Sequence, residues 1–449
     1  MLSEPICQII KTNFRSLDIR LEKVEITIVQ IIDKKILIIS HNPLSCVNNN
    51  GKTLASIFEG VSKDNIYQIY LSTEIPDYCD KSHFLQINEK QILSSFIYRK
   101  NLCCCPIKAD PNQISSTAIK KRNFANHTKR LLREVIWKFS IWKPKLREWL
   151  KDEQFDVVFF MAGDGLFAYD IYNFVMQHVN SKGCVFFTDD YIIGKTSFSP
   201  IAFLRQFLLK RKIKNTLYIT KDLYVISEEM KEAYKKLFKV EGYVIRNFSV
   251  ERVAQSLDKM NSSTDNLVML YAGGLHYNRW KVLSKIANAL KCINESNPIK
   301  CQLKIYSSQN ISDKIINQIT VEGASEFCGS AAASQIAILY GSSNILLHVE
   351  SFDRKAIAST KYSFSTKIPE YLSAGKCVLA VGPLEVASIQ YLSKCASVIS
   401  DDNSLVGRLT DLVNNAEYRE MIKQTCEKTY IEDFSHQKQE ESLKQIMFS

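Results

Sequence analysis

Short apolar runs alternate with longer segments in which apolar residues recur every three or four positions, and this rhythm starts near Lys35. KILIIS (Lys35–Ser40), IYQIYL (Ile66–Leu71), DVVFFMA (Asp156–Ala162), CVFFT (Cys184–Thr188), LYVIS (Leu223–Ser227) and YVIRN (Tyr243–Asn247) read as buried strands. Helical patterns separate them: Leu54–Val61, Lys90–Tyr98, a long basic region over Ala118–Leu150, a helix after Gly165 reaching about Val179, Pro200–Lys214 and Glu228–Phe238. The rest of residues 72–112 reads as irregular. After the polar stretch Met260–Asn266 the rhythm restarts. Its strands are LVMLYAG (Leu267–Gly273), CQLKIYS (Cys301–Ser307), SEFCG (Ser325–Gly329), NILLHV (Asn344–Val349), CVLAVGP (Cys377–Pro383) and ASVIS (Ala396–Ser400). Its helices are Arg279–Cys292, Ser312–Thr320 and Ala331–Tyr340, with a helical tail to Ser449.

Strand–helix alternation of this kind predicts an α/β protein of two doubly wound, Rossmann-like parallel-sheet domains facing each other across a cleft. The expected division is an N-terminal extension over 1–34, a first domain over 35–260, a second over 261–430, and a C-terminal helix over 431–449 that crosses back to the first domain.

At 449 residues, with 46% hydrophobic and 23% charged residues, the composition is that of a globular chain with sizeable cores. No run approaches the roughly 18 apolar residues of a membrane span. Glu4, Asp18, Glu22 and Glu25 interrupt the apolar N-terminal stretches, which therefore do not read as a signal peptide. Thirteen cysteines, scattered apart from Cys103-Cys104-Cys105 and without a C-x-x-C pair, predict free thiols and a cytoplasmic protein. The net charge of +11 is uneven: residues 1–260 hold 39 Lys+Arg against 28 Asp+Glu, and the remainder balances. The densest basic stretch is Lys120–Arg147, which includes Trp137, Phe139 and Trp142, with Trp149 just beyond it. Basic residues interleaved with aromatics fit an anionic membrane surface better than nucleic acid.

The chemistry concentrates in 344–383. Pro369 confines the start of its helix to between Ser365 and Ile368, and Gly375 stops it. That start lies beside the carboxyl end of a buried strand, where open α/β sheets bind ligands. Ser365, Thr366, Lys367 and backbone N–H groups there make an anion pocket for phosphate, and Glu370 sits one turn in, within reach of a ribose. In the same domain, Gly273 and Gly274 after the first strand permit close backbone approach, and Arg279 at the next helix start can clamp a diphosphate. Gly51-Lys52-Thr53 lacks the upstream glycine of a P-loop. His348 lies within a strand and reads as core.

The two-domain plan, with GGLHYNRWK in one segment and HVESFD followed by SFSTKIPEYLSAGKCVLAVGP in another, resembles the GT-B-fold glycosyltransferases. It is similar to the family-4-like retaining enzymes of bacterial surface-polysaccharide synthesis. VISEEMKEAYKKLF and VIRNFSV match that family's run into the linker. The resemblance covers most of the chain from about Lys35 and is stronger in the second domain. It implies a nucleotide-sugar donor held by Gly273, Gly274, Arg279, Glu350, Ser365, Thr366, Lys367 and Glu370. Arg279, Lys367 and Asp164 would act in catalysis, with Asp164 orienting or deprotonating the acceptor. The acceptor pocket would take His41, Asn49, Asn50, Gly51 and Asp189. The family pairs glutamates eight residues apart; here Tyr362 stands eight before Glu370, and the nearest upstream acid is Glu350.

The expected function is transfer from a nucleotide-diphosphate sugar to a saccharide or lipid-linked saccharide, at the inner face of the membrane, with no metal or other cofactor and no nucleic acid. Two alternatives share the fold: a nucleotide-sugar 2-epimerase or hydrolase, and a non-catalytic nucleotide-sugar-binding subunit.

Overall fold

A computed structural model describes residues 33–45, 49–74, 76, 83–102, 127–194, 199–248 and 266–448. Among the described residues thirteen strands form two sheets, parallel throughout. The first contains β1 (Ile36–Ser40), β2 (Ile66–Tyr70), β3 (Phe84–Gln86), β4 (Val157–Ala162), β5 (Lys182–Phe187), β6 (Asp222–Val225) and β7 (Gly242–Val244). Their order is β3-β2-β1-β4-β5-β6-β7. The second contains β8 (Asn266–Ala272), β9 (Lys300–Tyr306), β10 (Ser325–Gly329), β11 (Ile345–Val349), β12 (Cys377–Val381) and β13 (Ser397–Ile399), in the order β10-β9-β8-β11-β12-β13.

The apolar runs are strands because both faces of each sheet are covered. Ile36–Ile39, Val157–Phe160 and Ile345–Leu347 have no solvent exposure. The strand order reverses between β1 and β4 in the first sheet and between β8 and β11 in the second. Helices leave those strands toward opposite faces, so a crevice opens at their carboxyl ends.

Several elements differ from the sequence expectation. The helix expected from Leu54 begins at Asn49 and ends at Ile57. Gly51 belongs to its first turn: a Cβ there would lie 2.5 Å from the Pro43 carbonyl and 2.8 Å from Ser45. Strand β3 lies in a stretch read as irregular, and helices Arg354–Thr360 and Ala387–Leu392 lie in stretches where the pattern predicts no helix. All three are short, and a few residues give no measurable period. The basic region contains two helices, His127–Phe139 and Lys143–Leu150, broken before Pro144. Trp137 and Trp142 are buried and Trp149 is half-buried, with Trp137 stacked on Phe167, so these tryptophans are core rather than interfacial. Their bulk caps the first sheet's helix layer.

All of the expected linker except Asn266 (the first residue of β8), the triple cysteine Cys103–Cys105, Lys120–Arg122, and all but the last two residues of the expected N-terminal extension lie outside the described residues. Among the described residues the cysteines form no disulfide, and no helix is long and apolar enough to cross a membrane. The final helix, His436–Phe448, reaches the first sheet's domain. Gln439 Nε2 donates to the carbonyls of Ile57 (3.0 Å) and Glu59 (2.8 Å), and Lys182 Nζ donates to the Ile446 carbonyl at 2.7 Å.

Candidate functional site

The second sheet's switch point carries most of the chemistry. Strand β8 ends at Ala272, and Gly273 and Gly274 follow. A Cβ at Gly273 would lie 2.7 Å from the Tyr271 hydroxyl and 3.1 Å from Lys367 Nζ; one at Gly274 would lie 2.5 Å from His276 Nδ1. A larger residue at either position would force these side chains to shift. Lys367 Nζ donates to the Ala272 carbonyl. Lys367 also occupies the N-cap position of the short helix Ile368–Ser373, without a side-chain capping bond, and Pro369 sits in that helix's first turn as the sequence requires.

The backbone amides near that helix start are partly occupied. Ser365 N–H donates to Ser388 Oγ at 3.0 Å, Lys367 N–H reaches Ser365 Oγ at 3.4 Å, and the Thr366 carbonyl accepts from Asn247 Nδ2 at 2.8 Å. A helix of 6 residues also has a weak dipole. The attraction for anions in this corner therefore rests on side-chain cations. Burial pulls Lys367 down to about 8, against the opposing effect of Glu370, while Arg279 adds to the fall.

Arg279 opens helix Arg279–Ser296 directly after Tyr277 and Asn278, both in the left-handed region at φ 58° and 61°. Such a turn is unusual for non-glycine residues and aims the guanidinium across the strand ends. Arg279 donates to both Glu350 oxygens, from NH2 at 2.8 and 2.9 Å and from Nε at 3.2 Å. Glu350 directly follows β11 and is buried. Burial raises its carboxyl above the ordinary range, more than Arg279 lowers it. Burial likewise opposes the Arg279 charge, but Glu350 outweighs it and holds the guanidinium ionised.

Two imidazoles flank this pair. His348 Nε2 lies 3.6 Å from Glu350 Oε1 without a hydrogen bond. Burial, then Arg279 and Lys367, push His348 down to about 3. His276 places Nε2 3.2 Å from Arg279 NH1 and Nδ1 2.8 Å from Gln309 Nε2, and the same causes bring it down to about 4. Both are neutral at physiological pH, so the cations of the corner are Arg279 and Lys367.

Glu370 meets the opposite domain. Its Oε2 accepts from the Tyr340 hydroxyl at 3.1 Å, and its Oε1 accepts from Lys52 Nζ at 2.5 Å. Lys52 belongs to the helix Asn49–Ile57, beside exposed Asn50 and buried Gly51. Other contacts hold the two domains in register. Ser363 Oγ donates to Asp189 Oδ1 at 2.9 Å, and Ser227 Oγ donates to the Tyr362 carbonyl at 2.8 Å. Asp190, next in sequence, turns inward and accepts backbone N–H bonds from Ile192, Ile193 and Gly194. A Cβ at Gly194 would clash with the Ala358 carbonyl, so this loop lies directly against the second domain.

The structure thus gathers Gly273, Gly274, Arg279, Glu350, Ser365, Thr366, Lys367 and Glu370 around one switch point, and brings Lys52 and Asp189 to it from the other domain. His41 and Asp164 follow β1 and β4, the two strands at the first sheet's own switch point. The His41 carbonyl accepts from Leu71 and Ser72 N–H. Asp164 Oδ2 accepts from Arg130 NH1 at 2.6 Å and lies 3.4 Å from Arg205 NH2, which also donates to the Asp164 carbonyl.

Sequence reasoning missed the partnership of Lys52 and Tyr340 with Glu370. No local signal marks it, since the close approach at Gly51 is to the Pro43 carbonyl and Ser45 of its own domain. Among the described residues no cluster of His, Cys, Asp or Glu has the make-up of a metal site.

These two facing parallel-sheet domains define a GT-B fold. No protein-family model matches the chain, and no curated protein is detectably similar in sequence. Solved structures share the fold at low identity. Anabaena Alr3699/HepE in complex with UDP is similar at 13% identity and TM-score 0.57, over 92% of this chain and 98% of that one. A glycosyltransferase from Rickettsia africae ESF-5 is similar at 14% identity and TM-score 0.55, over 93% and 100%. The α,α-trehalose 6-phosphate synthase of Burkholderia multivorans is similar at 8% identity and TM-score 0.57, over 92% and 96%.

Proposed function

We propose that the chain is a glycosyltransferase that moves a sugar from a nucleoside-diphosphate sugar to a saccharide or lipid-linked saccharide of a surface polysaccharide (capsule, O-antigen or exopolysaccharide). The observation that carries this reading is the convergence of Arg279, from the segment after β8, with Lys367 and Glu370, from the helix start before β12, at the β8/β11 switch point. Fold neighbours support it, since HepE is solved with UDP and with UDP-glucose.

In this reading Glu370 accepts the ribose hydroxyls, and Arg279 and Lys367 face the diphosphate. The bond from the sugar's anomeric carbon to the diphosphate oxygen breaks, and the electron pair leaves with the nucleoside diphosphate. The two cations stabilise that departing charge without a metal cofactor. The acceptor hydroxyl then bonds the anomeric carbon and passes its proton to the departing diphosphate oxygen. Asp164, whose carboxylate is already engaged by Arg130 and lies 3.4 Å from Arg205, suits orientation of the acceptor. Asn49, Asn50 and Gly51 line the acceptor side with His41 and Asp189. Retention at the anomeric carbon, a cytoplasmic location and peripheral attachment at the inner membrane face complete the proposal, and nucleic acid has no part in it.

A thermal-shift screen over nucleoside diphosphates and their sugars tests it, since a ligand that binds only the native state raises the melting temperature. Glu370→Ala should abolish the shift of the best ligand. An undiminished shift in that variant would remove the site.

A further inference from the structure

We propose that the outer surfaces of three neighbouring helices in the first domain dock onto an anionic lipid bilayer, with Phe203 and Phe207 inserted among the lipid chains. The inference deepens the reading of a lipid-linked acceptor and rests on it for its purpose, although not for its geometry. The helices are Glu89–Tyr98, His127–Phe139 and Pro200–Ile219. They pack side by side: Arg133 pairs with Glu89 at 3.4 Å, Arg205 NH2 lies 3.8 Å from Glu134, and Ile141 N–H donates to Ser95 Oγ at 2.9 Å.

Each helix buries one face against the domain and turns an apolar stripe outward. Leu93 and Ile97 are exposed on the first, and Leu132, Val135 and Phe139 on the second. On the third, Phe203 and Phe207 are 70% and 55% exposed, with Leu204 between them. Single exposed apolar residues need no explanation, but stripes on three adjacent helices form a patch that monomeric soluble proteins rarely leave bare.

The charges beside these stripes select the partner. Lys90 and Arg99 accompany the first stripe, Lys129 and Lys138 the second, and Lys210, Arg211 and Lys214 the third, all exposed. The exposed acid among these three helices is Glu89, which is paired with Arg133. Aromatic and aliphatic residues surrounded by unopposed cations match an interface of acyl chains under anionic headgroups. Within the basic, tryptophan-bearing stretch visible in the sequence, Lys129, Leu132, Val135, Lys138 and Phe139 face outward and belong to this surface, whereas Trp137 and Trp142 are buried.

The inner faces of the same helices explain why docking here would serve transfer. Arg130 of the second helix and Arg205 of the third both hold Asp164 at the end of β4. A bilayer on the outer faces therefore lies one helix layer from the acceptor side of the crevice.

Co-flotation of the full chain with vesicles of phosphatidylglycerol and phosphatidylethanolamine, against vesicles of phosphatidylcholine, tests the assignment. The parent protein should float with the anionic vesicles. The double variant Phe203→Ser/Phe207→Ser should bind at least about tenfold more weakly, because two apolar rings no longer leave water. Lys129→Gln/Lys138→Gln should weaken binding and reduce its salt dependence. Circular dichroism melting and nucleoside-diphosphate binding should match the parent in both variants, which separates this surface from the donor site. Absence of parent binding at low salt overturns the assignment. So does undiminished binding of the phenylalanine variant. If light scattering shows a dimer that the phenylalanine variant converts to a monomer, the occupant is a second copy of the chain and the lipid assignment falls.

Discussion

Lys52 Nζ lies 2.5 Å from Glu370 Oε1, joining residues 318 positions apart and placing an ammonium of the first domain on the carboxylate proposed to receive a ribose. The lysine is about half exposed. An exposed ion pair is worth only about 0–1 kcal/mol, so a ligand can open it at little cost. Lys52→Ala should therefore raise nucleoside affinity, by up to about fivefold, while shifting the melting temperature by no more than a few degrees. Isothermal titration with the nucleoside selected by the thermal-shift screen checks this. A fall in affinity would mean that Lys52 contacts the ligand itself.

The Arg279–Glu350 pair behaves differently because it is buried. Removing one member leaves the other's charge uncompensated, at a cost of about 3–5 kcal/mol. Arg279→Met should destabilise the ligand-free protein by that order. Glu350 already has a raised carboxyl pKa in the fold, and loss of Arg279 raises it further. A raised folded value contributes stability at low pH that is lost as pH rises through it. The deficit of Arg279→Met should thus be smallest in acid and widen toward neutral pH, as read by urea unfolding along a pH series.

Lys367 supplies the third relationship. Burial lowers it to about 8, so its ammonium is lost as pH rises past that value. Affinity for a nucleoside diphosphate should fall over the same interval, and Lys367→Met should bind weakly with a flatter profile. The depressed folded value also means that the lysine's contribution to stability is present above its ordinary value of 10.5 and is lost as pH falls toward about 8. At neutral pH the ligand-free Lys367→Met protein should consequently melt higher than the parent. A lower melting point together with retained binding would assign the lysine to structure alone.

His348 is buried and neutral, brought from an ordinary 6.5 down to about 3. Its contribution to stability is present above 6.5 and lost as pH falls through the interval below. The parent should lose up to about 1.4 kcal/mol per pH unit more than His348→Leu over that interval. Acid unfolding curves of the two proteins, compared by far-ultraviolet circular dichroism, should diverge below pH 6.5 and run parallel above it. Curves parallel at every pH would show that the imidazole titrates normally.

Both sheets were legible because strands covered on both faces must be apolar throughout, and such runs stand out from amphipathic helices. The start of helix Ile368–Ser373 was legible because Pro369 tolerates only a first turn. Gly273, Gly274, Arg279 and Lys367 could be named because they flank strand ends, where doubly wound folds open. Strand β3 and the two short helices were hidden by their brevity. The direction in which Trp137 and Trp142 point was hidden for another reason. An amphipathic pattern shows that a helix has two faces, but a tryptophan among lysines fits either of them.

The sequence by itself determined two doubly wound domains and the strand ends from which a ligand site would be built. These follow from local patterning and from the handedness of parallel crossovers. Only the tertiary structure decided that Lys52 reaches Glu370, that Arg279 is held by Glu350, and that the bare apolar stripes of the first domain belong to Leu132, Phe203 and Phe207. Each of these depends on which surfaces come together over long separations, and no local periodicity encodes the identity of a distant neighbour.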